Sequence, residues 1–252
     1  MKNGVCRMNI ALLGHGKMGK EVERVAHEKG INVKKIFSIE NNLGATGLTR
    51  QSLADVDVCI DFSTPAAVIE NVKAVADYGK SIVVGTTGWY DKLKDIEKIV
   101  KKKKIGLMYS PNFSLGMNIF YHILATTSHL IDKYNCYDVA IHEVHHKGKA
   151  DSPSGTALTL GQIVLQNIRR KKIVLSDASH KEIKPEELHI TSTRVGHVVG
   201  QHSVIFDSDA DSIEMVHVAK NRAGFALGAV MAAEWLKGKK GIFTMKDLIT
   251  SL

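Results

Sequence analysis

The sequence predicts an α/β protein: a parallel, doubly wound sheet in the first part, then an α+β part with a mostly antiparallel or mixed sheet. Three observations carry this. Short apolar runs alternate with amphipathic helix patterns up to residue 110, the first run ends in regularly spaced glycines, and β-rich stretches separated by turn residues follow one another from residue 189.

In chain order, MNIALLG (8–14) is a first strand, and KMGKEVERVAHEKG (17–30) follows as a helix with Met18, Val22, Val25 and Ala26 on one face and Gly30 as its C-terminal glycine. INVKKIFSIE (31–40), DVDVCIDFS (55–63) and SIVVGTTG (81–88) predict three more strands. Between the last two, Thr64 is a candidate N-cap, Pro65 fits the first helical position, and Val68, Ile69, Val72, Val75 and Ala76 form a buried stripe. A lysine-rich helix (91–103) leads to a fifth strand, IGLMYS (105–110). The run Lys101–Lys104 suits a solvated helix end, where cations complement the macrodipole.

At the first strand-to-helix junction Gly14, Gly16 and Gly19 make GHGKMG a G-x-G-x-x-G pattern. Glycines there allow a tight turn, close approach of a pyrophosphate and close helix packing; many glycine-rich turns bind nothing, but on this βαβ background the pattern points to a Rossmann-type dinucleotide-binding site. Glu40 is placed to bond the adenosine ribose hydroxyls, or is a surface glutamate opening a loop. VGTTG (84–88) and SPNFSLGMN (110–118) begin at strand ends, where ligands of open α/β sheets bind, and read equally as turn chemistry.

Composition narrows the function. With 44% hydrophobic and 24% charged residues the chain is an ordinary globular protein, and no apolar run is long enough for a signal peptide or membrane span, so a cytoplasmic location is expected. Residues 1–7 read as an extension, with Met8 a possible alternative start. Cys6, Cys59 and Cys136 form no C-x-x-C pair and are expected to be reduced packing residues. The net charge of +8 suits an anionic small substrate, and the absence of aromatics among the basic runs disfavours nucleic acid.

His142, Glu143 and His146 match the zinc-protease pattern H-E-x-x-H. That site needs a helix, where i and i+4 lie about 6 Å apart along the axis. YDVAIHEV (137–144) is instead rich in strand formers, and in a strand the two histidines would be about 13 Å apart, so no metal is expected. The stretch delivers His145, His146, Lys147 and Lys149 into a loop before a helix capped by Ser154, with Gly155 and Thr156 in its first turn and Leu158, Ile163 and Leu165 as apolar surface. Cations facing a helix N-terminus bind a carboxylate, and imidazole or lysine can donate a proton. HITSTRVG (189–196), GQHSVIFDSD (200–209) and DSIEMVHVAK (211–220) are later strands, with DSDADS as a turn, and 221–238 is a helix.

From Met8 onward the chain resembles the dihydrodipicolinate reductase (4-hydroxy-tetrahydrodipicolinate reductase) family, through GHGKMG, DFSTP, GTTG, NFSLGMN and above all EVHHKGKADSPSGTA (143–157), in which Ser152 replaces an alanine of the family signature. The resemblance implies NAD(P)H-dependent reduction of a cyclic imine dicarboxylate to tetrahydrodipicolinate by a homotetramer. It implies a dinucleotide domain (1–113), a substrate and oligomerisation domain (114–220) and a helical segment (221–252) returning to the first domain, with Arg222 near the hinge. Gly14, His15, Gly16, Lys17, Met18, Gly19, Glu40, Gly85, Thr86, Thr87, Ser110, Pro111, Asn112 and Phe113 would hold the cofactor. His145 and Lys149 would handle protons, and His146, Gly155 and Thr156 would bind a substrate carboxylate. Some relatives have arginine where this chain has Asn41 or Thr64, which tilts the expectation towards NADH over NADPH, although Lys17, Lys34 or Lys35 could compensate. The rival readings are another dinucleotide reductase acting on an acidic metabolite, and a non-catalytic nucleotide sensor or nucleic-acid binder.

Overall fold

The computed structural model describes residues 8–176 and 178–251. In chain order these form β1 (Asn9–Leu13), α1 (Lys17–Glu28), β2 (Asn32–Phe37), β3 (Val58–Asp61), α2 (Pro65–Asp77), β4 (Ser81–Val84), α3 (Leu93–Lys103), β5 (Gly106–Tyr109) and α4 (Leu115–Ile131). There follow β6 (Asp138–His145), α5 (Gly155–Asn167), β7 (Ile173–Leu175), β8 (Glu187–Arg194), β9 (Gly200–Asp207), β10 (Ser212–Ala219), α6 (Ala223–Leu236), β11 (Gly241–Phe243) and α7 (Met245–Thr250). The expected extension at residues 1–7, with Cys6, lies outside the described residues. The chain divides into two compact units, one ending at Leu115 and resumed from Arg222, the other Gly116–Asn221.

The first unit is built on a six-stranded sheet in the order β11-β5-β4-β3-β1-β2, every pair parallel. Strand alternation sends Ile10, Leu12, Val58 and Ile60 to a core shared with α1, α6 and α7, and Ala11, Leu13, Cys59 and Val84 to a second core under α2 and α3. Each fully buried aliphatic side chain contributes about 1.5–3 kcal/mol, so both faces favour the layered arrangement. Gly30 has φ +72°, the left-handed value that ends α1, and Pro65 opens α2. Thr64 stands at the N-cap of α2 without a side-chain capping bond. α6 joins this unit through Gly228, where a Cβ would lie 1.8 Å from the Phe113 carbonyl oxygen, so only glycine allows the approach. The expected second and fourth strands are shorter than read: β2 stops at Phe37 and β4 at Val84, because Ser38, Glu40 and Asn41 turn the chain through mutual hydrogen bonds and Gly85 begins a loop.

The second unit carries a mixed five-stranded sheet, β10-β9-β6-β8-β7. β10 and β6 pair antiparallel with β9, whereas β6 and β7 pair parallel with β8. The parallel pairing of β6 with β8 follows from the α5 crossover between them. α4 and α5 cover one face through Met117, Phe120, Leu124, Ala157, Leu160 and Val164. α4 escapes the sequence pattern because apolar residues surround it, with Ile119, Ile123 and Leu130 exposed opposite its buried side. In α5 the fully buried stripe is Ala157, Leu160, Gly161 and Val164, with Ile163 and Leu165 packed partly buried against the same core and Leu158 exposed; a Cβ on Gly161 would meet Ile190 Cδ1 at 2.7 Å, so this face lies against the sheet. Of the cysteines, Cys59 is buried as expected, while Cys136 is exposed and does not pack.

Candidate active site

The glycine loop has the shape a dinucleotide needs. Gly14, after β1, has φ +89°, and a Cβ there would lie 2.3 Å from the Phe62 carbonyl oxygen. Gly19 brings α1 against the loop, since its Cβ would fall 2.1 Å from the Gly14 carbonyl oxygen. Gly16 has nothing within 4 Å of a Cβ; it stands at the N-cap of α1 with no side-chain capping bond, and the first turn holds no acidic residue. The free N–H groups and the helix dipole therefore face an open space suited to a pyrophosphate. Lys17 is exposed, Met18 packs on the core, and His15 Nε2 lies 2.8 Å from Glu23 Oε2.

Asp61, at the end of β3, ties the neighbouring loops together. Its fully buried carboxylate accepts from Ser63 N (2.8 Å), Ser63 Oγ (2.7 Å), Asn71 Nδ2 (2.9 Å) and Thr86 Oγ1 (2.8 Å). Asn71 Oδ1 in turn accepts from Asn42 Nδ2, so the loops after β2, β3 and β4 share one network. Burial pushes the Asp61 carboxyl above its ordinary range against these bonds. Of the residues expected to hold cofactor, Gly85 must be glycine because a Cβ would overlap the Phe62 ring, Thr86 is committed to Asp61, and Thr87 is exposed beside it. Ser110 Oγ donates to the Asn112 carbonyl, and Asn112 Oδ1 accepts from Ser114 N, shaping the loop that contains exposed Pro111. The Phe113 side chain is in the core against Phe62, leaving only its backbone for a ligand. Glu40 is exposed three residues past β2, where Ser38 Oγ donates to its carboxylate.

In the second unit the covered face of the sheet changes from apolar to ionic along its strands. Val139 and Ile141 give way to Glu143 and His145 on β6, Leu188 and Ile190 to Ser192 and Arg194 on β8, and Phe206 and Val204 to His202 on β9. Register places Ser192 and His202 on either side of Glu143, with His217 beyond His202. Glu143 Oε1 accepts from Ser154 N (2.9 Å), Ser192 Oγ (2.8 Å) and Arg194 Nη2 (2.8 Å). Its Oε2 lies 2.8 Å from His145 Nδ1 and 3.7 Å from His202 Nε2. Ser154 caps α5 by accepting from Ala157 N, and its hydroxyl stands 3.3 Å from His202 Nε2.

These contacts set the charges. Burial opposes ionisation of Glu143, but the bonds from Ser154, Arg194 and Ser192 prevail and hold its pKa down to about 2. Burial lowers His145 below its ordinary value, against the attraction of Glu143, and lowers His202 to about 4 with help from His145. Lys149 Nζ pairs with Asp151 at 2.7 Å, and the Asp151 carboxyl is held low by Lys149 and the Gly155 backbone N–H. A carboxylate of the chain itself thus rests between that lysine and the first turn of α5.

His145, Lys149, Gly155 and Thr156 therefore share one strand end and helix start, with His146 in the turn that leads to Lys149, whose N–H donates to the His146 carbonyl. His142 points to the opposite face, its Nδ1 2.7 Å from Thr191 Oγ1, which separates it from Glu143 as strand alternation requires. Glu143, His145 and His202 could each offer a metal one ligand atom, all within 4.8 Å of one another, the one such group among the described residues. Arg194 already places a positive charge on that carboxylate. Asp61, Glu143, Arg194 and His202 are absent from the sequence-derived site; the alternation of β6 signals that Glu143 shares a face with His145, but only the pairing of β8 and β9 brings Arg194 and His202 to it.

The chain is similar to known proteins over nearly all of its length. Residues 8–113 match the family model described as dihydrodipicolinate reductase, N-terminus, and residues 116–249 that described as dihydrodipicolinate reductase, C-terminus. A 4-hydroxy-tetrahydrodipicolinate reductase of Christiangramia forsetii is 42% identical over 246 residues, 97% of this chain and 99% of the relative. One from Archaeoglobus fulgidus is 35% identical over 262 residues, 96% of this chain and all (100%) of the relative. The solved structure of dipicolinate-bound dihydrodipicolinate reductase from Paenisporosarcina sp. TG-14 shares the fold, with TM-score 0.74 at 22% identity over 94% of this chain and 97% of that one.

Proposed function

The chain belongs to the dihydrodipicolinate reductase family, and from that premise we propose how its own residues carry out the NAD(P)H-dependent reduction of 4-hydroxy-tetrahydrodipicolinate to tetrahydrodipicolinate. The chain is an oxidoreductase of lysine and diaminopimelate biosynthesis. Bound at the glycine loop, NAD(P)H supplies the hydride. Gly14, Gly16 and Gly19 admit its pyrophosphate to the N-terminus of α1, and the loops tied by Asp61 line the rest of its site.

Lys149, His146 and the first turn of α5 at Gly155 and Thr156 bind a substrate carboxylate, a role supported by the Asp151 carboxylate already drawn to Lys149 and Gly155. His145 and Lys149 supply the proton to the anion that hydride addition generates. The observation that carries this assignment is the ionic end of the second sheet, where a nearly buried imidazole meets a buried carboxylate 2.8 Å away beside a helix N-terminus. The reaction is assigned without a metal because the Arg194 guanidinium, 2.8 Å from Oε1, already neutralises Glu143.

NADH is the favoured cofactor. A carboxylate at Glu40 suits ribose hydroxyls and would repel a 2′-phosphate, and Asn41 is spent on the turn, accepting from Ser38 N and donating to the Ile36 carbonyl. A homotetramer is supported by the open face of the second sheet, where Val216 and Val218 of edge strand β10 are about half exposed. No described helix is long and apolar enough to cross a membrane, in keeping with the proposed cytoplasmic location.

Titrating the protein with dipicolinate tests the substrate site. Wild type binds it, Lys149→Ala weakens binding at least about tenfold, and equal affinity in both refutes the carboxylate role. Comparing kcat/KM for NADH and NADPH tests the cofactor, and a strong NADPH preference overturns the choice.

A further inference from the structure

The two ring nitrogens of His145 face different surroundings. Nδ1 is turned to Glu143 Oε2 at 2.8 Å, an ion-pair contact off the line of a hydrogen bond, so neither buried atom has a hydrogen-bond partner elsewhere among the described residues. Nε2 is turned to Gly200, the first residue of β9, where a Cβ would stand 3.0 Å from Nε2 and 3.4 Å from Cδ2. Gly200 does not have the positive φ that calls for glycine elsewhere in the chain. What glycine provides at this position is the uncovered Nε2.

Glu143 is itself immobilised. The Ser154, Ser192 and Arg194 donors come from α5's cap and from β8 and converge on Oε1, which leaves Oε2 to the imidazoles. The charged and titratable groups around His145 are Glu143 on its own strand, Arg194 on β8, His202 on β9, and Lys149 and Asp151 in the following loop. His202, with its ring centroid 5.1 Å from that of His145, is kept neutral by burial, so the carboxylate charge is available to His145.

We propose that Glu143 is the positioning residue of the proton donor: its Oε2 holds the proton on Nδ1 of His145, so that the ring works through Nε2 over the gap left by Gly200. This rests on the assignment of His145 as a proton donor, and it adds which nitrogen acts and which residue decides it. As the ring donates from Nε2, the proton on Nδ1 stays beside Glu143, and the product is the neutral Nδ1–H tautomer. Nε2 then takes a proton from solvent before the next turnover. The substrate anion gains that proton, and no other group of the protein changes its proton count.

Glu143→Gln tests this without removing the anchor. The amide oxygen can still accept from Ser154, Ser192 and Arg194, while the amide N–H₂ presents a donor to Nδ1 and reverses the tautomer. In ¹⁵N-histidine NMR spectra wild type should show neutral His145 as the Nδ1–H form and Glu143→Gln as the Nε2–H form. The variant's kcat should fall about 10- to 100-fold and its kcat–pH profile should move to lower pH, with KM for substrate little changed. Gly200→Ala, which covers Nε2 but leaves Glu143 in place, should lower kcat while keeping the wild-type tautomer. A wild-type tautomer and pH profile in Glu143→Gln, or full activity in Gly200→Ala, overturns the proposal even where His145→Gln is inactive. An active His145→Gln instead overturns the proton-donor assignment beneath it.

Discussion

Gly14 and Gly16 differ by two positions and should fail in opposite ways. At Gly14 an alanine is forced to φ +89°, which costs about 1–2 kcal/mol, and its methyl would begin 2.3 Å from the Phe62 carbonyl oxygen. Moving β1 or the end of β3 to relieve that contact adds a further ~1–3 kcal/mol. A total of about 3 kcal/mol in a chain of this size lowers Tm by about 6–12 °C. At Gly16, with φ −76° and no atom within 4 Å of a Cβ, alanine is sterically free and should leave Tm within about 2 °C of wild type. Its methyl nevertheless occupies the approach to the first-turn N–H groups, so the NADH Kd should rise at least about tenfold, or 1.4 kcal/mol. Thermal melts and NADH fluorescence titrations of Gly14→Ala and Gly16→Ala measure both. Wild-type stability in the first, or wild-type NADH affinity in the second, refutes the cradle geometry.

Three further outcomes follow from the buried polar groups. His202 titrates near about 4 rather than 6.5, so between those values the unfolded chain binds a proton that the folded chain refuses. Stability should therefore fall by about 3 kcal/mol as pH drops from 6.5 to about 4, and urea melts of His202→Asn should show a shallower slope in that window; an unchanged slope contradicts the burial argument. Glu143, lowered from 4.5 to about 2, stabilises the fold above that window and loses its contribution as pH falls through it, so Glu143→Gln should flatten the stability curve below pH 4.5 and leave the His202 slope above it. Asp61→Asn turns an amide N–H₂ towards donors built for a carboxylate; it should cost about 1–3 kcal/mol and raise KM for the dinucleotide more than KM for the dicarboxylate, whereas equal effects on both would detach Asp61 from the cofactor site.

Parts of the fold and site that depend on neighbours in sequence are legible in it. The glycine loop is an example: the positive φ of Gly14 and the approach of Gly19 to the Gly14 carbonyl are local requirements, and Ser154 caps the helix that begins at Gly155. The misfit of the H-E-x-x-H match follows from the extended backbone, since β6 runs to His145 and a strand spreads positions 142 and 146 about 13 Å apart. Long-range partners are hidden. Arg194 reaches Glu143 across 51 residues and His202 reaches Ser154 across 48, contacts fixed by the register of β8 and β9 and by no local signal. Glu40 shows the same limit on a smaller scale, because the β propensity of residues 31–40 hides a turn made by the side chains of Ser38 and Asn41. α4 lacks one polar face, and its helical period is correspondingly hard to see.

The most direct test of the account is the steady-state rate of NAD(P)H oxidation with freshly made 4-hydroxy-tetrahydrodipicolinate, measured for wild type, His145→Gln and Lys149→Ala at matched folded content by circular dichroism. Proton donation and carboxylate binding by this strand end predict a kcat lower by about 10²-fold or more in both variants, with spectra unchanged. Near wild-type kcat in either correctly folded variant contradicts the role assigned to that residue.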